Sequence, residues 1–178
     1  LVDLALQRAP PGGAPRVLDL ATGSGCVAIA IAGTLQSARV TATDVSAAAL
    51  ALARDNAGRH GVTLELLESD WFQALGGRAF DLIVANPPYL AADDRHLDEG
   101  DLRFEPRQAL VAGPAGYECI ETIVAQSPRH LAPGGWLLLE HGHEQAAGCR
   151  ARLDQAGFKA VFSARDLAGI ERASGGQV

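Results

Sequence analysis

The chain has 178 residues, 48% of them hydrophobic and 20% charged, with a formal net charge of −6. This is the composition of one globular domain rather than of a disordered chain, and no apolar run approaches the ~18 residues of a membrane-spanning helix. The acidic balance argues against gripping nucleic acid by bulk electrostatics.

Leu1 to Leu6 reads as the end of a helix, followed by the breaker stretch Pro10-Pro-Gly-Gly-Ala-Pro15. Arg16–Leu20 reads as a short strand, and the small apolar run Cys26–Leu35 suits a buried helix. Arg39–Asp44 is β-branched and strand-like. Ser46 is placed to cap a helix over Ala47–Arg59, which Gly61 ends. Thr63–Leu67 and Phe80–Ala85 are further strands. Leu90 to Gly113 breaks the rhythm as a long polar connection, the signature of a functional loop. A helix is expected over Tyr117–Leu131, a turn at Pro133-Gly134-Gly135 and a buried strand at Trp136–Glu140. A helix over Glu144–Ala156, stopped by Gly157, and a strand at Phe158–Ser163 complete the pattern. Ser174-Gly-Gly-Gln-Val178 reads as a glycine-rich tail. Strands alternating with helices imply an α/β fold: an open, mostly parallel sheet with helices on both faces and ligands at the carboxyl ends of its strands.

Four motifs follow strands. In Asp19-Leu-Ala-Thr-Gly-Ser-Gly25, Gly23 and Gly25 permit a tight turn and close backbone approach to a ligand. The third glycine of a dinucleotide loop is missing, and Asp19 suits a ligand carrying an amine better than a pyrophosphate. Asp44 ends the second strand, where a carboxylate can accept two hydrogen bonds from a ribose diol. Ser69-Asp70-Trp71-Phe72 offers an acceptor and an aromatic plane for an adenine, or simply a core pair with a capping Asp. Asn86-Pro87-Pro88-Tyr89 carries the most chemistry. Consecutive prolines stiffen the segment, so the Asn86 side-chain oxygen and the Pro87 carbonyl can accept from one planar –NH2 group, with Tyr89 packed against its plane.

Together these motifs resemble class I S-adenosylmethionine-dependent methyltransferases, and Asn86–Tyr89 resembles the segment of enzymes that methylate planar nitrogens. The stretches Leu102–Arg107, Ala109–Gly113, Gly134–His141 and Asp166–Gly169 are similar to the protein release factor glutamine N5-methyltransferase family in particular. The resemblance implies a seven-stranded Rossmann-like sheet over residues 16–178, with residues 1–15 following a small helical N-terminal domain. It implies S-adenosyl-L-methionine as cofactor, S-adenosyl-L-homocysteine as product, and methylation of the glutamine of a Gly-Gly-Gln motif in a peptide chain release factor. Asp19, Ala21, Thr22, Gly23, Ser24, Gly25, Asp44, Val45, Asp70, Trp71 and Asn86 would hold the cofactor. Asn86, Pro87 and Tyr89 would be catalytic, and Pro88 and Glu105 would join them in binding substrate. Ala21 stands where many members have glycine, which is tolerable if its φ is negative. Gly175-Gly176-Gln177 matches the methylated tripeptide, but automethylation is not expected.

Arg95, His96, Arg103 and Arg107, in the long connection with Glu105, either clamp substrate or are solvated charges. His141 and His143 are expected to be structural, with no metal site. The three scattered cysteines, without a CxxC pair, suggest neither disulfides nor zinc and fit a reducing cytoplasm. The sequence contains no methionine, even at position 1, so a processed chain or part of a longer protein is expected. A monomer that contacts a release factor, and neither nucleic acid nor membrane, is expected. The alternatives are a glutamine methyltransferase of a ribosomal protein, an adenine N6-methyltransferase, and a cofactor-binding fragment inactive by itself.

Overall fold

The computed structural model describes residues 1–94, 97 and 106–178. In strand β1 (Arg16–Leu20), Leu18 and Leu20 enter one buried cluster and Val17 the opposite one. That alternation is what a strand covered on both faces requires. Strands β2 (Arg39–Asp44), β3 (Glu65–Glu68) and β4 (Phe80–Ala85) extend the sheet in parallel. The two-residue β5 (Leu90–Ala91) pairs with β6 (Val111–Gly113) outside the main sheet. Strand β7 (Leu131–Glu140) lies parallel to β4, and β9 (Glu171–Gln177) runs antiparallel between β7 and β8 (Lys159–Arg165). The order β3-β2-β1-β4-β7-β9-β8 is the mostly parallel seven-stranded sheet that the resemblance implied. The order reverses between β1 and β4, so the crevice that binds ligands in such folds opens at the carboxyl ends of those two strands.

Helices α1 (Val2–Arg8) and α2 (Cys26–Thr34) cover the Val17 face, with Ala5, Ala28 and Ile31 packed on Val84 and Leu138. Helix α3 (Ala47–His60) lies beside α2; the Ser46 hydroxyl caps it by accepting from the Ala49 N–H, and Gly61 ends it at φ +65°. Helix α4 (Arg107–Leu110) is a single turn. Helices α5 (Glu118–Gln126) and α6 (Ala146–Gln155) cover the other face, where Ile120, Ile123 and Leu153 meet Leu18, Ile83 and Leu139. No helix among the described residues is long and apolar enough to cross a membrane.

Three expectations are corrected. Helix α5 stops at Gln126, and Ser127–Arg129 tightens into a 3-10 turn whose Pro128 cannot continue the α-helical ladder. Pro133-Gly134-Gly135 is not a separate turn but an irregularity inside β7, where the β4–β7 register shifts between Phe80 and Leu82. There a Cβ on Gly135 would sit 2.9 Å from the Ala132 carbonyl oxygen.

The last correction is the largest. The glycine-rich end is no tail: it is β9, an interior strand of the sheet. A Cβ on Gly175 would come within 2.6 Å of Leu138 Cδ2 and 2.7 Å of the Leu137 carbonyl oxygen, and one on Gly176 within 2.8 Å of Phe158 Cβ. The glycines are there because neighbouring side chains fill their space. Gln177 pairs with Trp136, which pairs with Leu82, so it sits several residues below the rim that carries Asn86. Its Nε2 donates to the Gly134 carbonyl at 2.8 Å. That position separates it from the Asn86 rim of its own chain.

Candidate active site

At the β1–β2 rim the loop is held from inside. Asp19 is 1% exposed; the Thr22 hydroxyl donates to its carboxylate at 2.6 Å and the Ala28 N–H at 3.2 Å. Burial pushes this carboxyl up to about 7, against the lowering effect of those two donors. Asp19 therefore fastens the loop to the first turn of α2. Thr22, itself buried, donates its N–H to the Thr43 carbonyl, and the Ser24 carbonyl accepts from Asn56. Ala21 has φ +54°, so the negative φ on which its tolerance was conditioned is absent; the loop needs the left-handed conformation there.

Gly23 and Gly25 divide the work of this loop. Both have positive φ, but a Cβ on Gly25 would lie 3.0 Å from that of Ala53, whereas nothing lies within 4 Å of one on Gly23. Gly25 lets helices pack; Gly23 leaves open space in front of the backbone. The Gly23 N–H donates to Asp44 Oδ2 and the Ser46 N–H to Oδ1, both at 2.9 Å. The Asp44 carboxylate is thus fixed in place with lone pairs to spare. Beside it Val45 is 51% exposed, an apolar surface at the rim.

At the end of β3, Asp70 is exposed and accepts from Gln73, while Trp71 is half-buried against the core with φ +49°. The Ser69 hydroxyl donates to the Trp71 carbonyl and accepts from the Ala74 N–H, which braces a conformation costly for an aromatic residue. Phe72 turns inward and stacks on His130 at 4.8 Å.

Beyond the fully buried end of β4, Asn86 is exposed, Pro87 buried, and Pro88 and Tyr89 half-buried. This gives the contrast that the prolines lead one to expect, an exposed polar group on an anchored backbone. The Tyr89 hydroxyl accepts from Arg172 at 3.3 Å, and that guanidinium lies 5.6 Å from the ring centroid. A cleft of about 530 Å³ opens beside Tyr89, bordered by Asp94, Tyr117, His143, Glu144 and Arg172. Arg107 is exposed. Glu105, Arg95, His96 and Arg103 lie outside the described residues.

His141 is fully buried. Its Nε2 lies 2.9 Å from the Ser174 hydroxyl, which continues to Ser163 and Arg150, and its Nδ1 lies 2.9 Å from the Gly142 carbonyl. Burial lowers its pKa, so the neutral ring serves as a cross-strand polar link. His143 is exposed beside Glu144. Burial raises the Cys119 thiol to about 11 and that of Cys149 to about 12, which leaves both unreactive. Among the described residues no cluster of His, Cys, Asp and Glu could hold a metal. Arg172 and Gln145 went unnoticed in the sequence. Each reaches the Tyr89 segment from a distant element, and no local spacing marks either of them.

Comparison with known proteins agrees with this geometry. Residues 3–101 match the family model described as "Methyltransferase small domain". The chain is 52% identical over 177 residues to a release factor glutamine methyltransferase of Bordetella pertussis, covering 99% of this chain and 66% of that protein. It is 49% identical to one from Xylella fastidiosa, covering 65% of it. The chain therefore spans just under two thirds of the length of these curated relatives. Among solved structures it resembles a release factor-specific protein-(glutamine-N5) methyltransferase of Alicyclobacillus acidocaldarius, with TM-score 0.61 and 28% identity, covering 99% of this chain and 88% of that one. A sheet of this order, these loops at its rim and a match over more than half of its length have one consequence: the chain belongs to the methyltransferase small domain family.

Proposed function

We propose that the protein transfers a methyl group from S-adenosylmethionine to the side-chain nitrogen of the glutamine in the Gly-Gly-Gln motif of a peptide chain release factor. The observation that carries the reading is an exposed Asn86 on a buried proline, directly after β4 at the switch-point crevice. The relatives' names point to a glutamine of a release factor; the Gly-Gly-Gln motif is what the family resemblance implies.

The residues present fit the cofactor. The open space at Gly23 admits a ligand close to the backbone, and the fixed Asp44 carboxylate can accept from a ribose diol. Val45, Asp70 and Trp71, which follow β2 and β3 in the chain, would hold the adenine. Asp19 contributes from beneath by holding the loop.

When bound, the cofactor supplies an electrophilic methyl on a sulfonium. The chain supplies the rest. An amide nitrogen is a weak nucleophile because its lone pair is delocalised. Asn86 Oδ1 and the Pro87 carbonyl accept its two N–H groups and fix its plane. Those contacts strengthen as positive charge develops on nitrogen, so they favour the transition state over the ground state. Buried Pro87 keeps its carbonyl in place without reorganisation, and positioning supplies a large further share. The alkylated nitrogen is strongly acidic, so its proton passes to water without a dedicated base.

The test is incubation with tritiated S-adenosylmethionine and release factor, followed by mapping of the label. Label on the Gly-Gly-Gln glutamine is expected. Label on a ribosomal protein or an oligonucleotide, with the release factor unlabelled, would overturn the proposal.

A further inference from the structure

Asn86–Tyr89 owes its stiffness to proline only up to residue 88; beyond that point something else must hold it. Tyr89 leads into β5, whose two residues lie outside the main sheet. The brace is a single side chain from the far side of β7. Gln145 Nε2 donates to the Tyr89 carbonyl at 3.1 Å and to the Gly116 carbonyl at 3.0 Å, while its Oε1 accepts the Gly142 N–H at 2.8 Å. Both amide hydrogens and the oxygen are used. They tie together the end of the Asn-Pro-Pro-Tyr segment, the turn before α5 and the turn after β7.

The surrounding glycines show that this junction is built to close tolerance. A Cβ on Gly116 would lie 2.8 Å from the Tyr89 carbonyl oxygen and 3.3 Å from Gln145 Nε2, and one on Gly142 would lie 3.0 Å from Gln145 Oε1. Side chains at either position would push the clamp apart. Arg172 holds the other end of Tyr89 by its hydroxyl, so the residue is restrained at both main chain and ring.

We infer that Gln145 is a positioning residue for the methyl-transfer site: by fixing the Tyr89 carbonyl it keeps the Pro87 carbonyl and the Asn86 amide aimed at the acceptor nitrogen. The inference rests on the proposed function and deepens it. Gln145 would act through the Tyr89 carbonyl and not on the reacting groups themselves. Its effect is on the geometry of the acceptor pair, and a misplacement of about 1 Å in such a pair costs roughly 10²-fold in rate.

The experiment compares Gln145→Met and Gln145→Glu with the parent protein. Methionine keeps the length of the side chain and removes all three bonds. Glutamate keeps the acceptor for Gly142 but sets a carboxylate against two carbonyl oxygens. Both variants are expected to lose about 10–100-fold in kcat for release-factor methylation, with cofactor Kd within about twofold of the parent, as cofactor binding does not use the clamp. Backbone amides of residues 89–92 are expected to exchange hydrogen faster in both. Restored kcat and exchange protection in Gln145→Glu would reduce Gln145 to a turn cap at Gly142 and overturn the inference, as would parental kcat in Gln145→Met. A parent that leaves release factor unlabelled refutes the function instead. The exchange rates then decide the clamp alone: unchanged protection in Gln145→Met refutes it.

Discussion

The two rims of the sheet solve opposite problems. At β1–β2, polar side chains point inward and shape a backbone loop: Asp19 and Asp44 receive N–H and hydroxyl donors from the loop and from the starts of α2 and α3. At β4–β7–β9, the backbone is anchored and one polar side chain, Asn86, stands exposed, with Gln145 and Arg172 bracing the segment from behind. The first arrangement suits a rigid ligand that is read by shape. The second suits a group whose charge changes during reaction, because an exposed acceptor on a fixed frame responds to that change without moving. Damage to the first rim should therefore appear in cofactor affinity and stability, and damage to the second in turnover.

The largest effect is expected at the second rim. Asn86→Ala removes one of the two proposed acceptors and should lower kcat by about 10²–10³-fold, the scale for losing one oxyanion-type contact. Cofactor Kd, measured by calorimetry, should stay within about threefold. An equal loss in affinity and turnover would mean that Asn86 belongs to the first rim and would erase the division.

The next effect concerns the buried acid of the first rim. Asp19 has its carboxyl raised to about 7 by burial, above the ordinary 3.8. The folded protein therefore keeps this proton at pH values where the unfolded chain has released it. Stability from this group is complete below about pH 4, falls as pH rises toward 7, and levels off above that. The loss is roughly 4 kcal/mol at 1.36 kcal/mol per pH unit. Asp19→Asn keeps an oxygen for the Thr22 and Ala28 donors and abolishes the titration. Urea midpoints at pH 5 and pH 8 should show the variant gaining on the parent at the higher pH; a gap that does not change with pH would rule out the raised pKa.

How much of this the sequence showed depends on how local each cause is. Strands β1 and β4 are legible with their observed bounds because Val17-Leu18, Leu20 and Leu82–Ala85 form compact apolar runs near breakers, and both faces are covered. Ser46 and Gly61 announced α3 by capping chemistry that spans only a few residues. Strand β9 was missed for the converse reason. Glu-Arg-Ala-Ser-Gly-Gly-Gln has no β-branched residue and no apolar alternation; Leu138, Phe158 and Phe162, from other strands and turns, make it a strand. The candidate site divides in the same way. Asn86 and Asp44 follow strands at recognisable spacings, whereas Gln145 and Arg172 act at 56 and 83 residues' separation from Tyr89. The buried state of Asp19 was hidden too, since a strand-end acid looks the same whether it faces ligand or loop.

Gly175→Ala tests whether β9 is held by its neighbours. The new methyl would meet the Leu137 carbonyl oxygen at 2.7 Å, and backbone cannot yield as a side chain can. Overpacking of this kind costs about 1–3 kcal/mol, to be read from urea denaturation with no change in cofactor Kd. A variant as stable as the parent would return this segment to the status of a tail.

The smallest effect distinguishes a preformed loop from one assembled by its ligand. Ala21 already sits at φ +54°, where a methyl-bearing residue costs about 1–2 kcal/mol more than glycine, partly offset by glycine's greater freedom when unfolded, about 0.4–1 kcal/mol. Ala21→Gly should therefore stabilise the protein by about 0.5–1 kcal/mol. The strain is present with or without ligand, because Thr22, Gly23 and Ser24 are each tied to β2, Asp44 or α3. It cancels from the binding equilibrium, and cofactor Kd should move by less than about twofold. If Ala21→Gly instead tightened binding tenfold with no gain in stability, the loop would be taking its shape only when the ligand arrives, and the fixed frame assigned to the β1–β2 rim would be wrong.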